Sequence, residues 1–342
     1  MVTAMRSPRL VAPGEGVYHV ISRTAFRRFV LRPEERNAFV RLLTRVAAFS
    51  GVRVLTFAVM SNHFHLLVRV PERREVPDEE LERRVRVLLG DVRANRLFAK
   101  WARWREMGAE SAVEEAKERL RARMYDLSQF CKTLKESFTM DYNRRTGNAG
   151  SIWGGRFRSV LVAPEAAALF SVGAYVDANP VKAGMVSHVR DYRWAGFAEA
   201  LRGNAFAREG IAELVRLARG SSVVPSFGEA AGAYAAALEG RLDAKSVAPG
   251  SDPTMTKPNS TVPDRRKIAE KLSRGSPLSF AEMLLCEVPV FERGGSFGSR
   301  RFVVPYSIRR NGRDRTAPAG LVAGIVLWTD HPLSGPPLRL VS

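Results

Sequence analysis

Cysteine, acidic residues and long hydrophobic runs are all scarce in this sequence. The two cysteines, Cys131 and Cys286, are 155 residues apart, which excludes a disulfide framework and a cysteine-based zinc site and is typical of a reducing compartment. No apolar run is long enough to span a bilayer, and residues 1–13 lack the apolar core of a signal peptide. We therefore expect a soluble, cytoplasmic protein.

The shortage of acidic residues leaves a large positive charge. The 342 residues include 54 Lys+Arg against 35 Asp+Glu, a formal net charge of +19, and only nine of the basic residues are lysines. A GC-rich genome would explain the preference for arginine over lysine, but not the excess of basic over acidic residues. Because the guanidinium group matches phosphate in a planar fork, the composition indicates a polyanionic partner, above all nucleic acid.

The spacing of apolar residues predicts strands and helices in alternation over the first half of the chain. Hydrophobic residues make up 45% of the sequence, enough for a buried core. The predicted elements are a strand at 16–22, a helix at 33–50, a hairpin of strands at 52–60 and 63–70, an amphipathic helix at 127–144, a strand at 156–162 and a helix at 164–178. This order predicts an α+β fold, a ferredoxin-like (split βαβ) antiparallel sheet with packed helices.

Changes in composition divide the chain further. Residues 1–205 form the first predicted domain, and within it residues 77–123 are so rich in charge that we expect a helical insertion. A helical extension follows over 206–245 and a linker rich in Ser, Thr, Pro and Gly over 246–263. The remaining residues, 264–342, are predicted to form a small basic module with no assigned role.

Two histidines stand one residue apart in the second strand of the hairpin. Side chains at i and i+2 leave the same face of a strand, so His63 and His65 point together while Phe64 points away. The pair can hold one cation, but by itself it is more typical of buried histidines satisfied by hydrogen bonds. His19 and His188 are interpreted as structural.

A tyrosine and an asparagine share one face of the last predicted helix. Tyr175 and Asn179 are four residues apart, and Pro180 ends the helix. A hydroxyl and an amide oxygen are thereby presented together. The alternative is a core tyrosine followed by a capping asparagine.

Three motifs in this order resemble a known family. They are AVMSNHFHLLV over residues 58–68, GSIWGGRFRSVLV over 150–162 and YVDANPVKAGMV over 175–186. Together they resemble the single-tyrosine HUH transposases, and among these the REP-associated tyrosine transposases, domesticated relatives of insertion-sequence transposases. The resemblance covers about residues 14–197, and the charged insertion at 77–123 departs from it.

The resemblance implies a site and a reaction. His63, His65 and Asn179 would bind a divalent cation, Mg²⁺ or Mn²⁺, and Tyr175 would be the nucleophile. The expected activity is a metal-dependent endonuclease and strand transferase that acts on single-stranded or hairpin DNA through a 5′-phosphotyrosine intermediate. The resemblance also allows a homodimer.

The second motif has the composition of a DNA-binding surface. Trp153, Arg156 and Arg158 interleave an aromatic ring with basic groups, as in surfaces that stack bases and hold phosphates. The alternative is that Trp153 anchors the core at a tight turn. Arg144, Arg145 and Lys182 are further candidate phosphate contacts, or simply solvated charges.

Two other functions stay open at this point. A DNA-binding regulator that kept the fold without catalysis would need only the basic surface. An RNA-recognition module would need exposed aromatic residues on the central strands, and Phe64 is the only good candidate there.

Overall fold

Three antiparallel strands carry the paired histidines. In the computed structural model, which describes residues 9–242, 295–299, 302 and 326–328, strand β1 (Gly16–Arg23) pairs with β3 (His63–Val70), and β3 pairs with β2 (Arg53–Val59). The strand order is therefore β2-β3-β1. The predicted hairpin is present, and its turn at Ser61 and Asn62 is closed by the Met60 amide, which donates to the His63 carbonyl at 2.8 Å.

The chain divides into two compact units. One comprises Ala12–Phe157 and Val176–Gly210 and is called the histidine unit. The other comprises Met1–Val11, Arg158–Tyr175 and Ile211–Ser342 and is called the tyrosine unit.

Helices precede and follow the strands in the sequence. They are α1 (Pro33–Ser50), α2 (Asp78–Leu89), α3 (Asp91–Glu106), α4 (Glu110–Arg121), α5 (Leu127–Thr146), α6 (Ala166–Asp177), α7 (Asn179–Lys182), α8 (Gly196–Leu201), α9 (Ala205–Ala218) and α10 (Phe227–Leu242). Helix α1 begins at a proline, whose missing N–H is no loss there, and Gly51 ends it in the left-handed conformation (φ 73°). No helix among the described residues is long and apolar enough to cross a membrane.

The core of the histidine unit lies between the sheet and helices α1 and α5. Phe64 points away from the histidines, and its ring centroid lies 4.8 Å from that of Phe39 on α1 and 5.5 Å from that of Trp153. Phe138 on α5 joins the cluster, 5.4 Å from Phe39. Residue parity along β3 thus separates an apolar face, packed by helices, from the face that carries the imidazoles.

Residues 77–123 form three charged helices, α2 to α4, which share a small apolar cluster with α1 and the flanking residues Val76 and Met124. Phe49, Val76, Leu81, Val85 and Met124 are buried together beneath them. Ion pairs bind the three helices to one another. Lys117 on α4 is buried, contacts Asp78 on α2 and bonds Glu114 at 2.8 Å. Many charged side chains of the insertion therefore pair with each other within it.

The tyrosine unit contains a parallel ladder. Strand β4 (Arg158–Val162) pairs with β5 (Gly295–Ser299), and β5 pairs with β6 (Val326–Trp328), in each case in parallel. The sequence predicted β4 but neither β5 nor β6, because both lie more than a hundred residues further along the chain. The predicted linker, 246–263, and all of the 264–342 module except residues 295–299, 302 and 326–328 lie outside the described residues.

Helix α6 packs closely against α9 and α10 within the tyrosine unit. A Cβ at Gly173 would lie 2.9 Å from the Tyr234 hydroxyl and 3.0 Å from Leu214 Cδ1, so only glycine fits. Tyr234 is fully buried. The predicted class, α+β with an antiparallel sheet and packed helices, is confirmed, whereas the ferredoxin-like strand order and the domain boundaries stay predictions.

Candidate functional site

The paired histidines lie near the turn end of strand β3. His63 stands opposite Arg23 of β1, and His65 stands opposite Ile21. Their ring centroids are 5.0 Å apart, with the ring planes at 77°. His65 is 1% exposed, and His63 is partly buried. The strand thus brings the two imidazoles together on one face, as its period of two requires.

His19 completes a row of three imidazoles. Its Nε2 lies 2.9 Å from Nδ1 of His65, and the two rings stack at 5.1 Å with their planes 6° apart. It is two residues from Ile21, the partner of His65, and so lies on the same face. Sequence analysis interpreted His19 as structural. Its contact with the pair follows from the register of β1 on β3. The sequence does indicate that His19, Ile21 and Arg23 share one face of β1, because they are two residues apart.

Asn62 holds the other histidine. Its side-chain Nδ2 donates to the Arg27 carbonyl at 3.1 Å, so its Oδ1 faces Nδ1 of His63 at 2.7 Å. An amide oxygen can only accept, and the proton of His63 therefore sits on Nδ1. The Nε2 lone pair is left for a ligand. From the sequence, Asn62 is predicted only to lie in the connection between the hairpin strands 52–60 and 63–70.

All three imidazoles are held neutral at physiological pH. Burial lowers the pKa of His19 to about 3. Burial, and then the positive charge of Arg23, lower the pKa of His63 to about 4. The pKa of His65 is well below its usual range because of burial first, with His19, His63, Arg23 and Lys182 adding to the effect. A neutral imidazole is the form that binds a metal.

Helix α7 supplies the predicted third ligand. Asn179 is its first residue and is partly buried, and its Nδ2 lies 3.4 Å from the Val176 carbonyl. Lys182, one turn later, is exposed, and its charge acts on His65. Among the described residues, no group of three His, Cys, Asp or Glu side chains could hold a metal ion. A metal at the histidines would therefore need an amide or water oxygen to complete its shell.

A buried carboxylate fixes the start of α7 against the sheet. Asp177 is fully buried, accepts a hydrogen bond from Thr56 Oγ1 of β2 at 2.7 Å, and accepts another from the Phe197 amide at 3.0 Å. It lies two residues before Asn179. A Cβ on Gly196 would come within 2.3 Å of Thr56 Oγ1, so the close approach requires glycine. Sequence analysis did not single out Asp177, whose partner is 121 residues away.

The predicted nucleophile belongs to the tyrosine unit. Tyr175 lies near the end of α6 and is 3% exposed. Helix α6 ends at Asp177 and α7 begins at Asn179, so a single residue, Ala178, separates the two helices that carry Tyr175 and Asn179.

Trp153 is placed as a core anchor. It is 7% exposed, packs on the rings of Phe64 and Phe138, and donates from Nε1 to the Lys135 carbonyl at 3.1 Å. The Lys135 ammonium lies 5.4 Å from its ring centre. Of the two interpretations left open by the sequence, this placement favours the core anchor over a base-stacking surface.

The candidate phosphate contacts differ in how they are engaged. Arg156, Arg158 and Lys182 are exposed. Arg144 is 68% exposed by side chain and pairs with Asp141 at 2.9 Å. Arg145 bonds both Asp141, at 2.9 Å, and the buried Glu35, at 3.0 Å. Arg145 thus joins α5 to α1, whereas the other four can turn toward solvent.

Comparison with known proteins bears on the sheet. Residues 15–79 match the family model described as transposase IS200 like, which confirms the resemblance over the segment from β1 to β3. No curated protein matches this chain. A solved REP-associated tyrosine transposase bound to a REP hairpin is 17% identical, with a TM-score of 0.38, over 58% of this chain and 87% of that one.

A second solved structure, a transposase candidate from Deinococcus radiodurans R1, is 18% identical, with a TM-score of 0.23, over 46% of this chain and 87% of that one. Both TM-scores are below 0.5. The family match alone covers the segment that holds His19, Asn62, His63 and His65.

Proposed function

We infer the function from the match of residues 15–79 to the family model described as transposase IS200 like, and we propose that this chain is a metal-dependent single-stranded DNA endonuclease and strand transferase. It acts on DNA hairpins and forms a 5′-phosphotyrosine intermediate. One observation carries the proposal: His63 and His65 each have Nδ1 engaged, by Asn62 and His19. Two neutral imidazoles therefore share one face of strand β3 with their rings fixed by these contacts.

The donor set fits a divalent cation of the Mg²⁺ or Mn²⁺ class. Nε2 of His63, Nε2 of His65 and the amide oxygen of Asn179 would hold it, with His19 and Asn62 fixing the imidazole tautomers. Bound there, the cation would neutralise charge on the scissile phosphate. Imidazole ligands favour Mn²⁺ in affinity, and cellular abundance favours Mg²⁺.

Tyr175 is the proposed nucleophile. Its hydroxyl oxygen forms a bond to phosphorus, the bond from phosphorus to the 3′ oxygen breaks, and the proton lost by the hydroxyl is balanced by one gained at the leaving 3′ oxygen. The products are a 5′-phosphotyrosine and a free 3′-hydroxyl, so the bond energy is kept for strand transfer without a nucleotide cofactor. A free tyrosine has a pKa near ~10 and is a weak nucleophile at neutral pH, so the phosphate must be activated.

The charge of the chain suits this substrate. A formal charge of +19 attracts a polyanion, and Arg156, Arg158, Lys182 and Arg144 are exposed for phosphate contacts. A lone tyrosine cuts one strand, which is why the proposed substrate is single-stranded or hairpin DNA.

A second candidate is a DNA-binding regulator without catalysis. The observation in its favour is the 3% exposure of Tyr175, because a nucleophile must reach the phosphate. The two candidates differ in one product, the covalent adduct.

The experiment is a search for that adduct. Wild-type protein is incubated with a library of end-labelled single-stranded hairpins and Mn²⁺, with and without EDTA, and adducts are resolved on a denaturing gel. We expect adducts with wild type and with Tyr142→Phe, the control at a partly exposed tyrosine, but none with Tyr175→Phe at equal hairpin affinity. Tight binding by the wild type without any adduct would favour the regulator.

The metal is tested without turnover. Mn²⁺ binding measured by electron paramagnetic resonance should weaken at least tenfold in His63→Ala and in His65→Ala, because one protein ligand is lost. His188→Ala, at an exposed position, is the control. Equal Mn²⁺ binding by all four proteins would remove the histidines from the metal site.

A further inference from the structure

Two phenylalanines are fully presented to solvent beside the histidine strand. Phe26 is 90% exposed and Phe29 is 73% exposed. Both lie in the segment Thr24–Arg32, called the aromatic loop here, which joins β1 to α1. Exposed rings of this size are unfavourable in water, and a pair of them in one short loop marks a surface for a ligand.

The backbone of the aromatic loop is held in a strained form. Phe26 and Arg27 both have φ 54°, in the left-handed region that residues other than glycine seldom adopt. Thr24 keeps it there: its amide donates to the Asn62 carbonyl at 2.9 Å, and its hydroxyl lies 2.8 Å from the Arg28 carbonyl. Strain that is over-determined by the surroundings is typical of functional positions.

The glycine-rich motif is the support for this loop. Ala25 donates from its amide to the Ile152 carbonyl at 2.8 Å, and Gly154 donates to the Arg23 carbonyl at 2.9 Å. A Cβ at Gly154 would lie 3.1 Å from the Thr24 carbonyl oxygen. The segment around the buried Trp153 therefore backs the loop and leaves its outer side to Phe26 and Phe29.

The aromatic loop is linked through Asn62 to one candidate metal ligand, His63. The Arg27 carbonyl accepts from Asn62 Nδ2, and Asn62 Oδ1 contacts Nδ1 of His63. Arg23, the last residue of β1, stands opposite His63 in the ladder. A strand of nucleic acid whose phosphate is at the histidines would have its neighbouring nucleotides within reach of this loop.

The charge of the aromatic loop is of one sign. Arg27, Arg28 and Arg32 are exposed, and residues 24–32 contain no acidic side chain. The Arg28 guanidinium lies 5.6 Å from the Phe26 ring centre. An apolar protein partner would favour a continuous apolar patch, whereas rings alternating with arginines match bases alternating with phosphates.

We propose that the aromatic loop stacks unpaired bases of the DNA strand that flank the hairpin, with Phe26 and Phe29 as the stacking rings and Arg27, Arg28 and Arg32 as phosphate contacts. This inference rests on the proposed function and deepens it. It assigns the recognition of single-stranded flanks to residues outside all three sequence motifs, and it gives Asn62 a second role, as the link between that recognition and His63.

The test compares two oligonucleotides: a hairpin with single-stranded flanks and the same hairpin with a blunt stem. Affinities are measured by fluorescence anisotropy in EDTA, where no cleavage is expected. We expect Phe26→Ala and Phe29→Ala each to weaken binding of the flanked hairpin by roughly 5- to 150-fold, the range for one lost base stack. Binding of the blunt hairpin should not change. Phe26→Tyr, which keeps a ring, should bind the flanked hairpin like wild type.

Controls separate stacking from charge and from folding. Met107→Ala removes an apolar side chain that is 79% exposed in the insertion and should change neither affinity. Arg27→Gln should make the dependence of affinity on salt shallower, by about 0.7 in log-log slope for one phosphate contact on a single strand. Each variant is first checked for an unchanged thermal unfolding midpoint, which is expected at such exposed positions.

The outcomes distinguish the two proposals. If wild type forms covalent adducts but Phe26→Ala/Phe29→Ala binds the flanked hairpin as tightly as wild type, the loop inference is wrong and the proposed function stands. If the double variant loses flanked and blunt hairpins equally, stacking on unpaired bases is also wrong. If wild type binds single-stranded RNA of the flank sequence more tightly than DNA, and the double variant loses that preference, the ligand is RNA and both proposals fail.

Discussion

Trp153 and Phe26 lie in two segments that are hydrogen-bonded to each other, but one side chain is buried and the other is exposed. Trp153 is 7% exposed and Phe26 is 90% exposed. Both are aromatic residues with arginines close by in sequence. The difference is that Trp153 meets the rings of Phe39, Phe64 and Phe138, which the sheet and two helices supply, whereas in the part of the chain that the structure describes no aromatic ring covers Phe26. Aromatic and basic residues in alternation therefore do not identify a binding surface until burial is known.

The largest expected effect is the loss of stability in Trp153→Ala. Removing a buried tryptophan and its hydrogen bond to Lys135 should lower the free energy of unfolding by about 3–5 kcal/mol, measured by urea denaturation. Phe26→Ala, the matched change at an exposed ring, should stay within about 0.5 kcal/mol of wild type. Comparable losses in the two variants would remove the contrast between the segments.

The next effect concerns the imidazoles on the other face of the sheet. Burial holds the pKa of His19 at about 3 against its ordinary 6.5, so below pH 6.5 the unfolded chain binds a proton that the folded chain does not. In metal-free protein, stability should therefore be complete above pH 6.5 and fall as the pH drops, by about 2 kcal/mol per such imidazole between pH 6.5 and pH 5.

Urea denaturation across that pH range measures this loss. His19→Gln should flatten the profile, and His188→Gln, at an exposed site, should reproduce wild type. A wild-type profile that is level from pH 7 to pH 5 would contradict the burial of the three rings.

A smaller effect is expected at the contact between the two segments. Gly154→Ala puts a Cβ 3.1 Å from the Thr24 carbonyl oxygen and should cost about 1 kcal/mol of stability. It should also weaken binding of the flanked hairpin, because the aromatic loop must shift. Gly228→Ala on α10, where a Cβ meets nothing within 4 Å, is the control. Full stability and affinity in Gly154→Ala would show that the glycine-rich motif does not support the loop.

The smallest effect separates two adjacent arginines. Arg145 is 33% exposed and bonds two carboxylates, while Arg144 is 68% exposed and bonds one. Arg145→Gln should lower stability by up to about 1 kcal/mol, and Arg144→Gln by less. Arg144→Gln should lower DNA affinity more than Arg145→Gln does, since its guanidinium is freer to reach phosphate. If Arg144→Gln lowered stability more, and Arg145→Gln lowered DNA affinity more, Arg144 would be the structural residue and Arg145 the phosphate contact.

The extent to which the sequence predicted the site depended on how far apart the partners are. The hairpin and the shared face of His63 and His65 follow from a period of two over eight residues, which is local. His65 contacts His19, which is 46 residues away, because of the register between two strands. Thr56 contacts Asp177, which is 121 residues away, because a later helix docks on the sheet. No local pattern encodes those distances.

The aromatic loop also could not be identified from its local sequence. Its sequence, TAFRRFVLR over residues 24–32, carries no strand or helix period and matches none of the three motifs. Its strained backbone is imposed by bonds from Asn62 and Ile152, which come from two other parts of the chain. The motif around Trp153 was interpreted from the sequence as a DNA-binding surface. In the structure it packs beneath this loop and hydrogen-bonds to it.

By itself the sequence determined the class of fold, the order of the elements from β1 to α6, the positive charge and the pair of imidazoles on one strand. These follow from composition and from periods of 2 and 3.6 residues, which are properties of neighbouring positions. The tertiary structure alone decided which imidazole nitrogens are engaged, which aromatic rings are buried and which are offered to solvent. Burial and hydrogen-bond partners are set by contacts between residues far apart in the chain, and such contacts exist only once the chain has folded.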